Sequence, residues 1–325
     1  MSGSEKQAAL AIDIGGTKIL AAVVSPQGDI ISQQYCLTLA SEGVEAVIDR
    51  LLIATRGALD KANVDLSQLK GLGIATAGAL DTRKGIVTAS PNLPGWQNVP
   101  LRDIVVEKLG INTYLVNDAN AAALAEYLLG AGRGTNNMIY VTVSTGIGGG
   151  IIINGELYSG VDGCAAEIGH MTIDANGPEC NCGNRGCLEV LASGTAVARE
   201  AIVRLKRGER SRISEIVGDK LEDIDARIVG VAAKGGDPLA SEIIAKAAYY
   251  LGVGLVNLVN IFNPERIIIG GGMSHLGDML LEPAKRVVKE RAFKLPAQSV
   301  SIVPSQLGDD AGVIGAALFV FQSAK

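Results

Sequence analysis

Two stretches of similar pattern decide the fold: residues 8–24, AALAIDIGGTKILAAVV, and residues 138–153, MIYVTVSTGIGGGIII. Each has an apolar run, a turn that contains glycine and a second apolar run, which is the pattern of a buried β-hairpin. When Asp13 is aligned with Ser144, the apolar runs and the glycine turns coincide. The pattern indicates an internal duplication of one supersecondary unit, and it predicts two α/β lobes that face each other across a cleft.

The segments around the two hairpins alternate between strand and helix patterns. The predicted elements are a strand at 30–35, a helix at 44–62, a strand at 69–78, a strand followed by a helix at 113–130, and a strand at 265–271. At the junction within residues 113–130, Asn117 or Asp118 is a natural N-cap. From Ala240 onward helix, strand and helix alternate, as an α/β layer requires.

Composition excludes several classes of protein. The chain has 325 residues, of which 48% are hydrophobic and 19% charged, so two globular domains are expected rather than a disordered chain. Its net charge of −5 disfavours a broad nucleic-acid surface. Because glycine and asparagine interrupt the most apolar stretch, Ala247–Ile261, a buried helix is predicted there rather than a membrane span. With no secretory pattern at the start, a cytoplasmic protein is expected, with no membrane or nucleic-acid partner.

Three glycine-rich turns follow apolar strands and are interpreted as phosphate-binding loops for a nucleotide. Glycine lets backbone N–H groups approach an anion closely, and Asp13 adds a carboxylate for Mg²⁺. The sequence lacks a Walker motif, and a single glycine hairpin would indicate only a turn. Three such turns predict an ATP site with Mg²⁺. Its candidate residues are Asp13, Gly15, Gly16, Thr17 and Lys18 in the first turn, Thr145, Gly146 and Gly148 in the second, and Gly271 and Gly272 in the third.

The Asn117–Asp118 pair is a candidate catalytic site. Phosphoryl transfer to an alcohol needs positioning, Mg²⁺ and a base for the hydroxyl proton. We expect Asp118 to be that base, kept ionised by the dipole of the helix that starts there, and Asn117 to hydrogen bond to a polyol. The alternative is that the pair only caps the helix.

The cysteines predict a metal site. Cys180, Cys182 and Cys187 lie close together in the sequence, and with His170 they offer the four ligands of a tetrahedral structural zinc. The alternative is a set of buried free thiols. A metal here would also hold Glu167 and Glu189 rigidly, as acceptors for sugar hydroxyls.

Together these motifs resemble the ROK family of bacterial sugar kinases. The residues that carry the resemblance are DIGGTK at 13–18, NLPGW at 92–96, NDANAAALAE at 117–126, TGIGGG at 145–150, EIGH at 167–170 and CNCGNRGCLE at 180–189. The resemblance implies an α/β protein with the actin-like ATPase (ribonuclease H-like) fold, a structural zinc, and a homodimer or a dimer of dimers. It also implies a small lobe at 1–117 completed by a helix at 311–325, and a large lobe at 118–310 with the zinc site and the dimer interface.

The resemblance further implies roles for individual residues. Asp118 is the expected base, Asp13 lies near Mg²⁺, and the glycine turns lie near the ATP phosphates. The implied sugar-binding residues are Gly78, Asn92, Asn117, Asp118, Glu167, His170 and Glu189, with His170 also binding zinc. There are two departures: Ala77-Gly78 stands where the family often has Pro-Gly, and Ser144 where many members have Gly or Leu.

Within the family the chain looks most like the glucokinases, which implies ATP-dependent conversion of glucose to glucose 6-phosphate. The alternatives are a kinase for N-acetylmannosamine or another hexose and, at greater distance, a sugar-responsive regulator without catalysis. A repressor is disfavoured because only twelve residues precede Asp13 and the chain is acidic.

Overall fold

The computed structural model describes residues 8–90, 92–218 and 220–324. The chain divides into two compact units. Unit 1 comprises Met1–Gly134, Gly150–Ala166 and Gln306–Lys325, and unit 2 comprises Thr135–Gly149 and Glu167–Ser305.

The strands are β1 (Ala8–Ile14), β2 (Lys18–Val24), β3 (Ile30–Leu37), β4 (Leu69–Thr76), β5 (Ala79–Asp81), β6 (Ile86–Ala89), β7 (Gln97–Val99), β8 (Thr113–Asn117), β9 (Met138–Val143), β10 (Ile147–Ile153), β11 (Glu156–Leu157), β12 (Arg266–Gly270) and β13 (Ser301–Pro304). The α-helices are α1 (Val44–Ala62), α2 (Leu101–Leu109), α3 (Asp118–Leu128), α4 (Leu188–Ala192), α5 (Gly194–Lys206), α6 (Arg212–Val217), α7 (Ala226–Lys234), α8 (Pro238–Phe262), α9 (Asp278–Arg291), α10 (Lys294–Ser299) and α11 (Ala311–Ser323). The strand and helix predicted at 30–35 and 44–62 are confirmed as β3 and α1.

The main sheet of unit 1 has the strand order β3-β2-β1-β4-β8. Strand β1 is antiparallel to β2 and parallel to β4, and β4 is parallel to β8. Apolar side chains bury this sheet against α1 on one side, and α11 packs on β1 and β4. Because β1, β4 and β8 run in the same direction, Asp13, Thr76 and Asn117 all lie at the same edge of the sheet.

The second main sheet has the order β11-β10-β9-β12-β13, with β9 parallel to β12 and β12 parallel to β13. Strand for strand this is the order of the first sheet, so the predicted internal duplication is confirmed. Strand β10 begins in unit 2 and continues into unit 1, where Ile152 pairs with Leu157 of β11. A third, antiparallel sheet, β5-β6-β7, lies in unit 1.

Helix α8 forms the centre of unit 2. It packs against α9, α7, α4 and α5, and its buried residues include Leu251, Leu255 and Val259. By length and composition alone it could cross a membrane, but 61% of its most apolar window is buried within the structure. The buried helix predicted for Ala247–Ile261 is therefore confirmed.

The division into units differs from the boundary predicted at residues 117/118. Helix α3 lies in unit 1, because it packs against α11. The two helices approach so closely that a Cβ on Gly315 of α11 would lie 1.8 Å from the carbonyl oxygen of Ala121. Residues 150–166, which the sequence placed in the large lobe, also belong to unit 1.

Candidate active site

Asp13 occupies the end of β1, just before the first glycine turn. The turn closes with a hydrogen bond from the Gly15 N–H to the carbonyl of Lys18, and the Thr38 hydroxyl donates to the carbonyl of Gly15. Thr17 and Lys18 are exposed at the tip of the turn. A Cβ on Gly312, in the first turn of α11, would lie 2.7 Å from Oδ2 of Asp13. The absence of a side chain there makes room for the carboxylate.

The next two residues of interest lie where β8 ends and α3 begins. Asn117 is the N-cap of α3, and its Oδ1 accepts hydrogen bonds from the N–H groups of Ala119 and Asn120. The capping predicted as the alternative role is therefore present. It uses the amide oxygen and leaves the Asn117 NH₂ group as a donor. Asp118 is the first residue of the helix, and its Oδ1 accepts from the Ala119 N–H at 2.8 Å.

The acidic groups of unit 1 perturb one another. Burial, together with the negative charges of Asp118 and Asp309, raises the pKa of Asp13 to about 7, against the opposing effect of the Lys18 charge. Burial also raises the pKa of Asp118, although the Ala119 N–H acts in the opposite direction. Desolvation of the carboxylate therefore outweighs the backbone donor in setting the pKa of Asp118.

Two of the predicted sugar contacts lie beside these carboxylates in unit 1. Asn92 packs over the first turn, since a Cβ on Gly16 would lie 3.1 Å from the Cβ of Asn92. Trp96, which is only 1% exposed, anchors the segment that carries Asn92. Gly78 follows β4 with a φ of 109°, and a Cβ there would lie 2.3 Å from the Ala89 carbonyl oxygen, so glycine is required.

Several buried polar atoms of unit 1 have no hydrogen-bond partner within the described part of the chain. Those near the ends of β4 and β8 are Thr76 Oγ1, Ser90 Oγ and Asn120 Oδ1. Buried polar groups are ordinarily satisfied by protein or by water. This part of unit 1 therefore has unused capacity for water or for a hydroxylated ligand.

Unit 2 brings the second and third glycine turns together. Gly271 has a φ of 81°, and a Cβ on it would lie 2.6 Å from the carbonyl oxygen of Val143, at the end of β9. Gly272 lies close to Ser144, whose Oγ would be 3.7 Å from its Cβ. Thr145, Gly146 and Gly148 belong to the adjoining hairpin. The chain therefore presents two glycine-lined backbone segments at one edge of this sheet.

Glu189 connects the second turn to the cysteine segment within unit 2. Its Oε2 accepts a hydrogen bond of 2.9 Å from the Ile147 N–H. A Cβ on Gly146 would lie 2.4 Å from the same oxygen, so glycine allows the carboxylate to approach the turn. Glu189 is the second residue of α4, which starts immediately after Cys187.

The four predicted metal ligands converge. One ligand atom each from His170, Cys180, Cys182 and Cys187 lies within 4.8 Å of the other three. The sulfurs of Cys182 and Cys187 are 3.7 Å apart, as are Cys180 Sγ and His170 Nδ1. Sulfurs bound to one tetrahedral zinc at about 2.3 Å lie about 3.8 Å apart, so these spacings fit the edges of a zinc tetrahedron.

The chemistry of the thiols also favours a cation. Burial, together with the neighbouring thiols, raises the pKa of Cys187 to about 12, whereas a hydrogen bond from the Asn184 backbone lowers the pKa of Cys182. A divalent cation would hold the buried thiols as thiolates, which burial alone opposes. His170 turns Nδ1 towards Cys180 and Nε2 towards Glu167, whose Oε2 is 4.0 Å away. Glu167 is exposed.

The predicted residues therefore form one group in each unit. Asp13, the first glycine turn, Gly78, Asn92, Asn117 and Asp118 lie in unit 1, and the other two turns, Glu167, His170, Glu189 and the three cysteines lie in unit 2. Two functional candidates were not predicted from the sequence, Asp309 and Gly312, which adjoin Asp13. The signal that could have revealed them is the GDDAG sequence at 308–312, an acidic pair between glycines at the start of a helix.

Comparison with known proteins identifies the family of this chain. The model of the ROK family matches residues 9–323. The chain belongs to the ROK family. Two α/β units with the same sheet order agree with the actin-like ATPase fold of its members.

Individual ROK proteins extend the comparison. The chain is 38% identical to a glucokinase from Thermotoga maritima over 311 residues, which are 96% of both chains. A ROK family glucokinase from Streptomyces griseus, solved in complex with glucose and AMPPNP, superposes with a TM-score of 0.86 and 35% identity, over 97% of this chain and 99% of that one. The chain is also 36% identical to a putative xylose repressor from Caldicellulosiruptor sp., over 96% of this chain but 77% of that protein.

Proposed function

We propose that this protein is an ATP-dependent sugar kinase that transfers the γ-phosphoryl group of ATP to a hydroxyl group of a hexose. Glucose is the best-supported substrate, with glucose 6-phosphate as the product. The observation that carries the proposal is the placement of Asp118. A partly buried carboxylate with a raised pKa starts a helix beside Asn117, at the same sheet edge as Asp13. The similarity to glucokinases along nearly the whole chain supports the same conclusion.

Asp118 suits the role of base for the acceptor hydroxyl. In a loose phosphoryl-transfer transition state the hydroxyl proton leaves late, so positioning matters more than strong basicity. A carboxylate whose pKa is raised accepts that proton more readily than an exposed aspartate does. Because the Asn117 oxygen is used by the helix, its NH₂ group is the part that can donate to a sugar oxygen.

The remaining sugar contacts are assigned by position. Asn92 and Gly78 would line the sugar from unit 1, and Glu167, His170 and Glu189 from unit 2. Since one oxygen of Glu189 accepts from the Ile147 N–H, its other oxygen would accept from a sugar hydroxyl. His170 would present Nε2 to the sugar while Nδ1 binds metal.

The glycine turns would hold the nucleotide. Backbone N–H groups of residues 15–18, 145–148 and 271–272 would bind phosphate oxygens, and Asp13 would hold Mg²⁺ with water between them or directly. Bound Mg²⁺ neutralises charge on the phosphates during transfer. Asp13 is suited to a cation because its environment, buried and beside other carboxylates, disfavours an isolated negative charge.

A structural zinc is the proposed occupant of the site formed by His170, Cys180, Cys182 and Cys187. Four protein ligands leave no open position for water, so the ion would stabilise the loop rather than take part in the reaction. Hydrogen bonds already close this loop, from the Leu188 N–H to Met171 and from the Ile173 N–H to Gly186. The metal would fix Glu189 and Glu167 relative to each other.

A hexose panel tests the proposed activity. Purified protein with Mg²⁺-ATP is assayed for ADP release with glucose, mannose, fructose, allose and N-acetylmannosamine. We expect glucose to give the highest kcat/KM. A preference for N-acetylmannosamine would refute glucose as the substrate and leave the kinase assignment intact. If no sugar supports ADP release while calorimetry detects sugar binding, the protein is a sugar-responsive regulator, as the similarity to repressors allows.

The assembly and the location of the protein also remain proposals. We propose a homodimer or a dimer of dimers with unit 2 supplying the interface, which light scattering of the purified protein tests. A cytoplasmic location is consistent with the burial of α8, the one helix in the described residues that is long and apolar enough to span a membrane.

A further inference from the structure

Glu126 is a fully buried carboxylate that the proposed reaction does not use. It lies near the end of α3 and is 0% exposed. Its Oε1 accepts hydrogen bonds of 2.9 and 2.8 Å from the N–H groups of Gln306 and Leu307, which are 180 residues away in the sequence. Its Oε2 accepts a hydrogen bond of 2.7 Å from the Ala131 N–H. A buried carboxylate with three backbone donors is costly to remove, because each donor would then be left without its acceptor.

The residues that donate to Glu126 lie close to points where the chain passes from one unit to the other. The chain crosses at 134/135, 149/150, 166/167 and 305/306. Ala131 lies just before the first crossing, and Gln306 and Leu307 lie just after the last. The backbone carbonyl of Glu126 also accepts from Gly130 and Gly132. One residue of α3 therefore fixes two of the four crossings to the helix that starts with Asp118.

The segment that follows Leu307 lies next to Asp13 in the structure. Residues Gly308–Asp310 form a short 3₁₀ helix that continues into α11. The charge of Asp309 acts on Asp13, and Gly312 makes room for the Asp13 carboxylate. The start of this segment is tied to α3 by Glu126, and its end lies against Asp13. Displacing Gln306 and Leu307 would move the groups that adjoin Asp13 relative to Asp118.

We propose that Glu126 is a positioning residue, which ties residues 306–312 to α3 and so sets the placement of Asp13 relative to Asp118. The proposal rests on the proposed kinase function for its kinetic consequence. Loss of the tie would lower kcat and leave sugar binding nearly unchanged, since Glu126 contacts neither substrate. A displacement of about 1 Å at reacting groups costs on the order of 100-fold in rate, so a partial displacement is expected to cost about tenfold.

Three variants test this role. Glu126→Ala removes both acceptor oxygens, whereas Glu126→Gln keeps one acceptor for Gln306 and Leu307 and turns a donor towards Ala131. Gly130→Ala retains the carboxylate but displaces it, because the added Cβ would lie 2.2 Å from Oε2. We expect kcat to fall about tenfold in Glu126→Ala and Gly130→Ala and less in Glu126→Gln, with KM for glucose within about threefold of wild type.

Asp237→Asn is the matched control. Asp237 is another buried carboxylate that accepts from backbone N–H groups, those of Arg212, 25 residues away, and of Ala240 in the helix it caps, but it lies in unit 2. We expect it to lower the melting temperature as Glu126→Gln does and to keep kcat within twofold of wild type. All rates are compared at the same interval below the melting temperature of each variant.

Hydrogen–deuterium exchange separates the outcomes. In Glu126→Ala we expect faster exchange at residues 131 and 306–312 and unchanged exchange in β12. Wild-type kcat in Glu126→Ala, or a loss of kcat in Asp237→Asn that matches its loss of stability, overturns the positioning role. An inactive wild-type protein refutes the proposed kinase function instead, and the exchange measurement then still decides whether Glu126 holds the two segments.

Discussion

Asp13→Asn should stabilise the protein above neutral pH, even though it removes a residue of the proposed active site. In the unfolded chain an aspartate titrates near 3.8, whereas burial and the neighbouring carboxylates raise the pKa of Asp13 to about 7. The folded protein therefore holds the Asp13 proton more tightly than the unfolded chain does. The bound proton therefore adds its whole contribution to the free energy of unfolding below pH 3.8. This contribution declines as the pH rises and is lost above pH 7.

The size of the effect follows from the shift. Each pH unit between the two pKa values costs about 1.4 kcal/mol, so the full shift corresponds to on the order of 4 kcal/mol. Because Asp13 keeps partial contact with solvent, we expect about half of this, roughly 2 kcal/mol at pH 8. Asparagine has nearly the same size and no charge. The Asp13→Asn variant should therefore melt about 4–8 °C above wild type at pH 8, and the difference should be smaller at pH 5.

The assay is thermal unfolding of both proteins from pH 5 to pH 9, without added Mg²⁺ or nucleotide. Asp49→Asn, which changes an exposed aspartate of α1, is the control and should follow wild type at every pH. A difference between Asp13→Asn and wild type that does not grow with pH would refute the account of Asp13 as a buried carboxylate in an acidic environment.

Three further outcomes are expected. Purified protein should contain about one zinc per chain on its four-ligand site. The Cys187→Ser variant should lose the metal, and its melting temperature should fall by at least about 5 °C. A metal-free protein of equal stability would contradict the zinc assignment. Gly315→Ala should destabilise unit 1 by about 3 kcal/mol because its Cβ meets backbone, whereas Gly272→Ala, with ordinary contacts, should change stability little. Glu189→Gln should raise KM for glucose by about tenfold, from the loss of a charged acceptor; an unchanged KM would exclude Glu189 from the sugar site.

Much of the fold was predictable because it is encoded locally. Hydrophobic periodicity and glycine turns identify the two hairpins, and a 3.6-residue pattern identifies α1 with the observed bounds. The convergence of His170 with the three cysteines was predictable because three thiols within eight residues have little other use in such a loop. Asn117 as a helix cap follows from the same local chemistry.

The rest depends on contacts between distant segments. The packing of α3 within unit 1 was not predictable, because its partner α11 lies nearly 200 residues further along and only the structure reveals that Gly315 fits against Ala121. The raised pKa of Asp118 was not predictable because a helix start is visible in a sequence, whereas burial of the carboxylate is not. Glu126 looks like an ordinary helix residue until its three donors are known.

The central claim is that Asp118 accepts the proton of the acceptor hydroxyl. The most direct test is the steady-state rate of Asp118→Asn with glucose and Mg²⁺-ATP, together with glucose affinity from calorimetry. Since general-base catalysis contributes about 10²–10⁴-fold, we predict a loss of kcat of that size, with glucose affinity within a few-fold of wild type and no loss of melting temperature. A variant that retains kcat within tenfold of wild type would contradict the account.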